Sequence, residues 1–358
     1  MRLEAKELTG MISQLRPLIL INWKEEGKWT FPHYLRSRVN QTKILQPLSL
    51  KNTVNSRFTY ISNYLSECYV PLMALLQRKT ADVIISWQMR IGVFYGLFKR
   101  LFHVLKPPIH IIQDFHIDLT QTRWLYRAKL SLMKMALPGI DFFCCTSTEE
   151  EAIYSRMFGI PRDRIVFLPQ VPPPAYFEVP AYPRKDYIFA YGNSDRDFDT
   201  LIRAATDLKI KTVILSQRYQ PKTPIPENVS IIRSRISEKD LLQWVASSRM
   251  VIVPLNDYRI SAGQFCLLEA MSLGRPVVVT RNMATLEYAV HRQTALFYQA
   301  HDSRELAEHI QYLWEHSETA EEIGRQARQA CRRLNNQRMT ALSQLLERCA
   351  AITQKGEN

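Results

Sequence analysis

VIVPLNDYRISAGQFCLLEAMSLGRPVVVTRNMATLEYAV, residues 251–290, places two apolar runs rich in β-branched residues on either side of one helical stretch. VIVPL breaks at Pro254, which cannot continue a central strand, and a polar loop follows. Gly263 lets the backbone turn closely before a helix starts near Gln264, and PVVVT (276–280) reads as the next buried strand. Free N–H groups at such a helix start form an anion site suited to a diphosphate. Glu269 stands on the apolar LLEAM segment of that helix, where an unpartnered carboxylate is costly. Two readings of it stay open: it holds a partner with two hydroxyl donors, such as a ribose diol, or it faces solvent.

The same rhythm extends outward. Upstream lie YIFAYG (187–192), a helix over 197–208, TVILS (212–216), VSIIR (229–233), a helix over 237–247 and MVIVPL (250–255); downstream, helices are expected at 303–316 and 318–351. The Pro-dense PQVPPPAYFEVPAYPRK (169–185) admits neither helix nor central strand and marks a domain boundary. Before it, strands at LILIN (18–22), DVIIS (82–86), HIIQD (110–114), DFFCCTS (141–147) and RIVFLP (164–169) alternate with helical stretches near 55–78, 90–105, 120–136 and 148–158. Ser147 or Thr148 followed by Glu149, Glu150 and Glu151 is an N-cap with acids on the helix dipole. At 358 residues the chain exceeds one typical core. The expected fold is α/β: two Rossmann-like doubly wound domains facing a central cleft, at 1–178 and 179–335, with a C-terminal helix and tail over 336–358.

SAGQFCLLEAMSLGRPVVVT resembles the donor-site signature of retaining glycosyltransferases of the GT-B fold, the large family-4 or group 1 type, in which a Glu, seven residues and a second Glu precede an AM-small-G-x-P-V-V segment. FAYGNSDRDFDTLIRAA is similar to that family's first strand, phosphate loop and helix. NVSIIRSRISEKDLLQWVASSRMVIVPL is similar to its base-binding strand and the unit after it, and STEEEAIYSRMFGIPRDRIVFLP to the end of its first domain. The resemblance implies that Glu269 binds ribose hydroxyls, that the Gly263, Gln264 and Phe265 backbone meets the diphosphate and sugar, and that Arg196, just beyond Gly192, neutralises the leaving diphosphate. It implies that Arg235 and Ile236 read the nucleobase through their backbone. For Arg196 the competing reading is a surface ion pair with Asp195, Asp197 or Asp199. The family's first Glu falls at Ser261 here, with Asp257 in the same loop as its replacement. His116, in QDFHID after the fourth expected strand, matches a histidine the family places near the donor sugar; the alternative is a structural histidine. Asp195-Arg196-Asp197 has D-x-D spacing but lies in the phosphate loop, so no metal site and no cofactor besides the nucleotide sugar is expected.

Charge divides unevenly. Lys and Arg total 47 against 34 Asp and Glu, a net +13. Residues 1–180 hold 23 basic and 14 acidic side chains, or +9, leaving +4 for the rest. An anionic partner for the first half follows. RIGVFYGLFKRLFHVLK (90–106) and RWLYRAKLSLMKMAL (123–137) set aromatic and aliphatic residues among Arg and Lys at helical spacing, which suits either an anionic membrane surface or the solvated face of two core helices. Nucleic acid is not expected, since no recognition motif accompanies the charge. The six cysteines form no C-x-x-C pair and sit mostly in apolar runs, and neither a signal-peptide pattern nor a bilayer-length apolar stretch is present. Together these readings describe a cytoplasmic enzyme, peripheral on the inner face of the plasma membrane. It would move a sugar with retention from a UDP- or GDP-linked donor to a saccharide or lipid-linked saccharide of a cell-surface glycan or exopolysaccharide. Ser261 keeps open a non-catalytic GT-B protein that binds nucleotide sugar or glycan as a subunit or regulator, and epimerisation of the nucleotide sugar is a third option.

Overall fold

The computed structural model describes residues 5–24, 30–39, 41–47, 68–117, 124–222, 224–256, 258, 259 and 261–357. The chain forms two compact units. The first takes residues up to Ile117, the stretch ending at Leu168 and the chain from Met339 onward; the second takes Pro169–Arg338.

The first unit carries six parallel strands: β1 (Pro17–Leu20), β2 (Lys43–Leu45), β3 (Val83–Gln88), β4 (Ile109–Asp114), β5 (Phe142–Cys145) and β6 (Ile165–Phe167). Their order is β2-β1-β3-β4-β5-β6. Alternation sends Leu18 and Leu20 to one core and Ile19 and Ile21 to the other, so β1 is buried on both faces, as parallel strands between helical layers must be. Leu342, Leu345, Leu346 and Cys349, from the end of the helix Ser317–Glu357, belong to the second of these cores.

The second unit repeats the scheme with β7 (Ile188–Tyr191), β8 (Thr212–Leu215), β9 (Val229–Ile232), β10 (Met250–Val253), β11 (Val277–Thr280) and β12 (Leu296–Tyr298), in the order β12-β11-β10-β7-β8-β9. This is the doubly wound arrangement, reversing direction between β7 and β10, and ligands of such sheets lie beyond the carboxyl ends of the strands at that reversal. In β7, Ile188 and Ala190 face one core while Phe189 and Tyr191 face the other. The helix Gln264–Ser272, between β10 and β11, buries seven of its nine residues and exposes Phe265. A fully buried Val or Leu contributes roughly 1.5–3 kcal/mol, which makes this helix a rigid mount for what it carries. The six cysteines are free thiols, five of them buried.

Candidate functional site

Three chain segments meet at the reversal point of the second sheet. The loop after β7 and the loop after β10 are stitched together by a bridge between Arg196 and Leu255 and by the Asp197 N–H donating to the Pro254 carbonyl at 3.1 Å. The helix Gln264–Ser272 starts beside them. Its N-cap, Gly263, has φ +85°, and a Cβ there would approach Leu255 and Val253 side chains at 3.0–3.2 Å, so both backbone and space call for glycine. The N-cap residue Gly263 has no side chain to cap the helix, whose N-terminus carries the positive end of the helix dipole. Gln264 and Ser261 are buried neighbours, with Gln264 Nε2 donating to Ser261 Oγ at 3.1 Å. The position that resembles the family's first carboxylate therefore braces the loop with a hydroxyl.

Arg196 is half-buried, and its guanidinium folds back over Gly192. Nε donates to the Tyr191 carbonyl at 3.0 Å, Nη1 to the Ser194 carbonyl at 2.6 Å and Nη2 to Cys266 Sγ at 3.1 Å. All three acceptors are neutral, and among the described residues Arg196 makes no ion pair. Asp197 instead caps the helix Phe198–Leu208 through the Thr200 N–H and binds His301 Nδ1 at 2.7 Å; Asp199 accepts from the Tyr219 hydroxyl at 2.6 Å. Among the described residues the guanidinium charge thus has no carboxylate partner, and it stands beside the positive end of the helix Gln264–Ser272. Gly192 has φ +122°, and a Cβ would lie 2.6 Å from two guanidinium nitrogens, so glycine is what admits this conformation.

Glu269 lies one and a half turns into the helix. Its Oε2 accepts from the Tyr191 hydroxyl at 2.5 Å, and Tyr176, whose hydroxyl donates to Glu238 Oε1 at 2.7 Å, also acts on it. Burial raises the Glu269 carboxyl to about 6, Glu238 adds to the rise, and the two tyrosines oppose it. The solvent-facing reading of Glu269 does not hold. Residue types alone could not find Tyr191 and Tyr176, because one ends a buried strand and the other sits in the Pro-rich segment.

The remaining predicted positions are spread more widely. Arg235 and Ile236 follow β9, two strands from β7 or about 10 Å at the usual spacing, with Arg235 exposed. Asp257 lies outside the described residues. His116, in the first unit, follows β4, and its Nδ1 lies 3.2 Å from Glu150 Oε1. Glu150 is fully buried and also accepts from the Tyr154 hydroxyl (2.8 Å) and from the Thr146 N–H (3.1 Å). The helix-start acid at 150 is therefore turned inward to hold the imidazole, while Ser147 caps the helix by accepting from the Glu149 N–H. Among the described residues no three His, Cys, Asp or Glu side chains are grouped to hold a metal ion.

Residues 191–316 match the family described as glycosyl transferases group 1. No curated protein matches the sequence. Among solved structures, sucrose-phosphate synthase from Thermosynechococcus elongatus superposes with a TM-score of 0.69 at 14% identity, over 94% of this chain and 100% of its own. The α,α-trehalose-phosphate synthase (UDP-forming) from Burkholderia vietnamiensis gives 0.68 at 10% identity, over 96% and 99%. HepE from Anabaena, in complex with UDP and glucose, gives 0.63 at 11% identity, over 93% and 99%. At such identities these structures carry the fold, and they share it across nearly the whole chain.

Proposed function

We propose, on the premise that the chain is a group 1 glycosyltransferase of the GT-B fold, that it transfers a sugar with retention from a uridine diphosphate sugar to a saccharide or lipid-linked saccharide acceptor. The observation that carries this reading is the Arg196 guanidinium, which makes no ion pair among the described residues, set beside the N-terminal end of the helix Gln264–Ser272 that also carries Glu269. Arg196 and the helix start take the diphosphate and stabilise its charge as the sugar–phosphate bond breaks; fixed positive groups at the leaving oxygen are the main source of rate in such a step. Glu269 accepts from the two ribose hydroxyls, and the 235–236 backbone meets the base edge. His116, held by Glu150, is the first unit's candidate contact to a sugar. The acceptor oxygen bonds to the anomeric carbon on the face the diphosphate leaves, and its proton passes to the departing diphosphate, so no enzymic nucleophile is needed. The guanidinium and helix terminus supply the positive charge a metal would, so transfer should survive chelation. UDP is favoured over GDP because HepE is described in complex with UDP and UDP-glucose.

The reading is tested by melting the protein with UDP and with GDP. UDP should raise the melting temperature, and Arg196→Ala and Glu269→Ala should each remove that rise without unfolding the protein. If both variants bind UDP as the parent does, the site is misplaced.

Peripheral membrane docking belongs to the same proposal. Phe102 and Leu105, 60% and 89% exposed, follow the helix Met89–Leu101 beside Arg100 and Lys106, and the packed helix Trp124–Ala136 exposes Trp124 and Met135. Apolar tips flanked by cations suit an anionic leaflet. Phosphatidylserine vesicles should sediment the protein at low salt and release it at high salt; no binding at low salt would overturn this part.

One observation favours a second reading. Ser261 replaces the carboxylate that the family signature places near the donor sugar, which fits a chain that binds nucleotide sugar without transferring it.

A further inference from the structure

At the amino ends of the second sheet's strands, away from the diphosphate loops, lies a cavity of about 530 Å³. Arg184, ahead of β7, and Arg275, ahead of β11, face the first turns of the helix Ser317–Glu357, which supply three carboxylates, Glu318, Glu321 and Glu322, and two more guanidinium groups, Arg325 and Arg328. A second cavity of about 290 Å³ shares Arg184, Arg275 and Arg328. Four guanidinium groups in one pocket need acceptors, and the protein provides them unequally. Arg184 pairs with Glu321 at 2.7 Å, Arg325 pairs with Glu322, and Arg328 donates Nη2 to the Phe177 carbonyl.

Arg275 has no such partner. Its Nε and Nη1 are buried without a hydrogen bond, and so is Nε of Arg328. Buried polar atoms are nearly always hydrogen-bonded, so these guanidinium atoms call for acceptors within the cavity. Burial, then the neighbouring Arg184 and Arg328, bring the Arg275 guanidinium down to about 10 against the pull of Glu321. The Arg275 N–H closes the last turn of Gln264–Ser272 on the Ala270 carbonyl. The negative end of that helix offsets part of the charge but not the missing hydrogen bonds.

We propose that this cavity binds a small phosphate monoester, with its phosphate on Arg275 and Arg328 and its hydroxyl-bearing part toward Glu321 and Glu322. A phosphate presents several acceptor oxygens to the planar guanidinium fork, and rim carboxylates accept from hydroxyls. The volume exceeds what bare phosphate needs and suits a hexose phosphate. The site is separated from the diphosphate loops by the nine-residue helix Gln264–Ser272, about 13 Å at 1.5 Å per residue. It does not depend on the function proposed above.

The test is calorimetric titration of the full chain, with and without UDP, using glucose 6-phosphate, inorganic phosphate and glucose. Glucose 6-phosphate should bind with or without UDP, phosphate more weakly, and glucose not at all. Arg275→Gln should weaken glucose 6-phosphate at least tenfold while leaving the melting response to UDP intact; should that variant not fold, Arg328→Gln carries the same expectation. Three results would overturn the proposal: no binding of glucose 6-phosphate by the parent at millimolar concentration, equal affinity in parent and variant, or phosphate bound as tightly as its ester. Loss of the UDP response in the parent sinks only the donor-site reading.

Discussion

Nucleotide-sugar binding should depend on pH through Glu269, and the magnitude follows from its surroundings. The carboxyl must be ionised to accept both ribose hydroxyls, yet burial and Glu238 raise it to about 6. At pH 5 about one molecule in eleven then carries the ionised form, so UDP-glucose should bind roughly tenfold more weakly at pH 5 than at pH 7.5. UDP-glucose is the right probe because its diphosphate does not titrate in this range, whereas the terminal phosphate of UDP does. Tyr191→Phe removes the hydroxyl that donates to Oε2 at 2.5 Å. A hydrogen bond to a charged group is worth about 1.5 kcal/mol or more, so the midpoint should climb by about one unit, to near 7. Glu269→Gln should bind weakly at every pH, with no slope. The same displacement affects stability with a definite sign. Because the folded-state value lies above the usual 4.5, the folded protein binds the extra proton. Glu269's contribution is therefore present below pH 4.5 and lost as pH rises through 6, by about 2 kcal/mol. Calorimetry on the three proteins between pH 5 and 7.5 decides the matter. A flat wild-type profile, or a slope that survives in Glu269→Gln, refutes the reasoning.

Three further outcomes are expected. Gly192→Ala puts a Cβ 2.6 Å from the Arg196 guanidinium at φ +122°, which should cost about 1–3 kcal/mol and reduce UDP-glucose affinity as far as Arg196→Ala does, checked by melting and calorimetry. Glu150→Ala strands the Tyr154 hydroxyl and the Thr146 N–H, and should lower stability by about 3 kcal/mol in denaturant titrations. His116→Gln should leave melting unchanged and slow sugar transfer.

Most of the second sheet is legible from its residues, because YIFAYG, TVILS, VSIIR, MVIVPL and PVVVT are continuous apolar runs between helical patterns, the signature of strands buried on both faces. β12 escapes that reading: Leu296–Tyr298 is three residues long, and its strand state comes from pairing with β11 rather than from its own pattern. β2, Lys43–Leu45, escapes for the same reason, opening on an exposed lysine and pairing with β1. At the site, glycines 192 and 263 are readable because positive φ leaves few alternatives. The contacts that set chemistry are not. Tyr191 and Glu269 are 78 residues apart, and Asp197 and His301 are 104 apart. Sequence places Tyr191, Asp197 and Glu269 on their elements but not His301, which follows the unread β12, and only the folded sheet brings each pair within hydrogen-bond distance. The cationic cavity is still less visible, since Arg275 falls at the variable position of the G-x-P-V-V segment and Arg328 on a helix with no signal of its own.

The central claim is that this site binds a nucleotide sugar and breaks its sugar–phosphate bond. Incubating purified protein with UDP-glucose and measuring released UDP tests it most directly. The expected result is release by the parent and none by Arg196→Ala. Tight binding of UDP-glucose with no UDP released by the parent would contradict it and leave a protein that holds nucleotide sugar without using it.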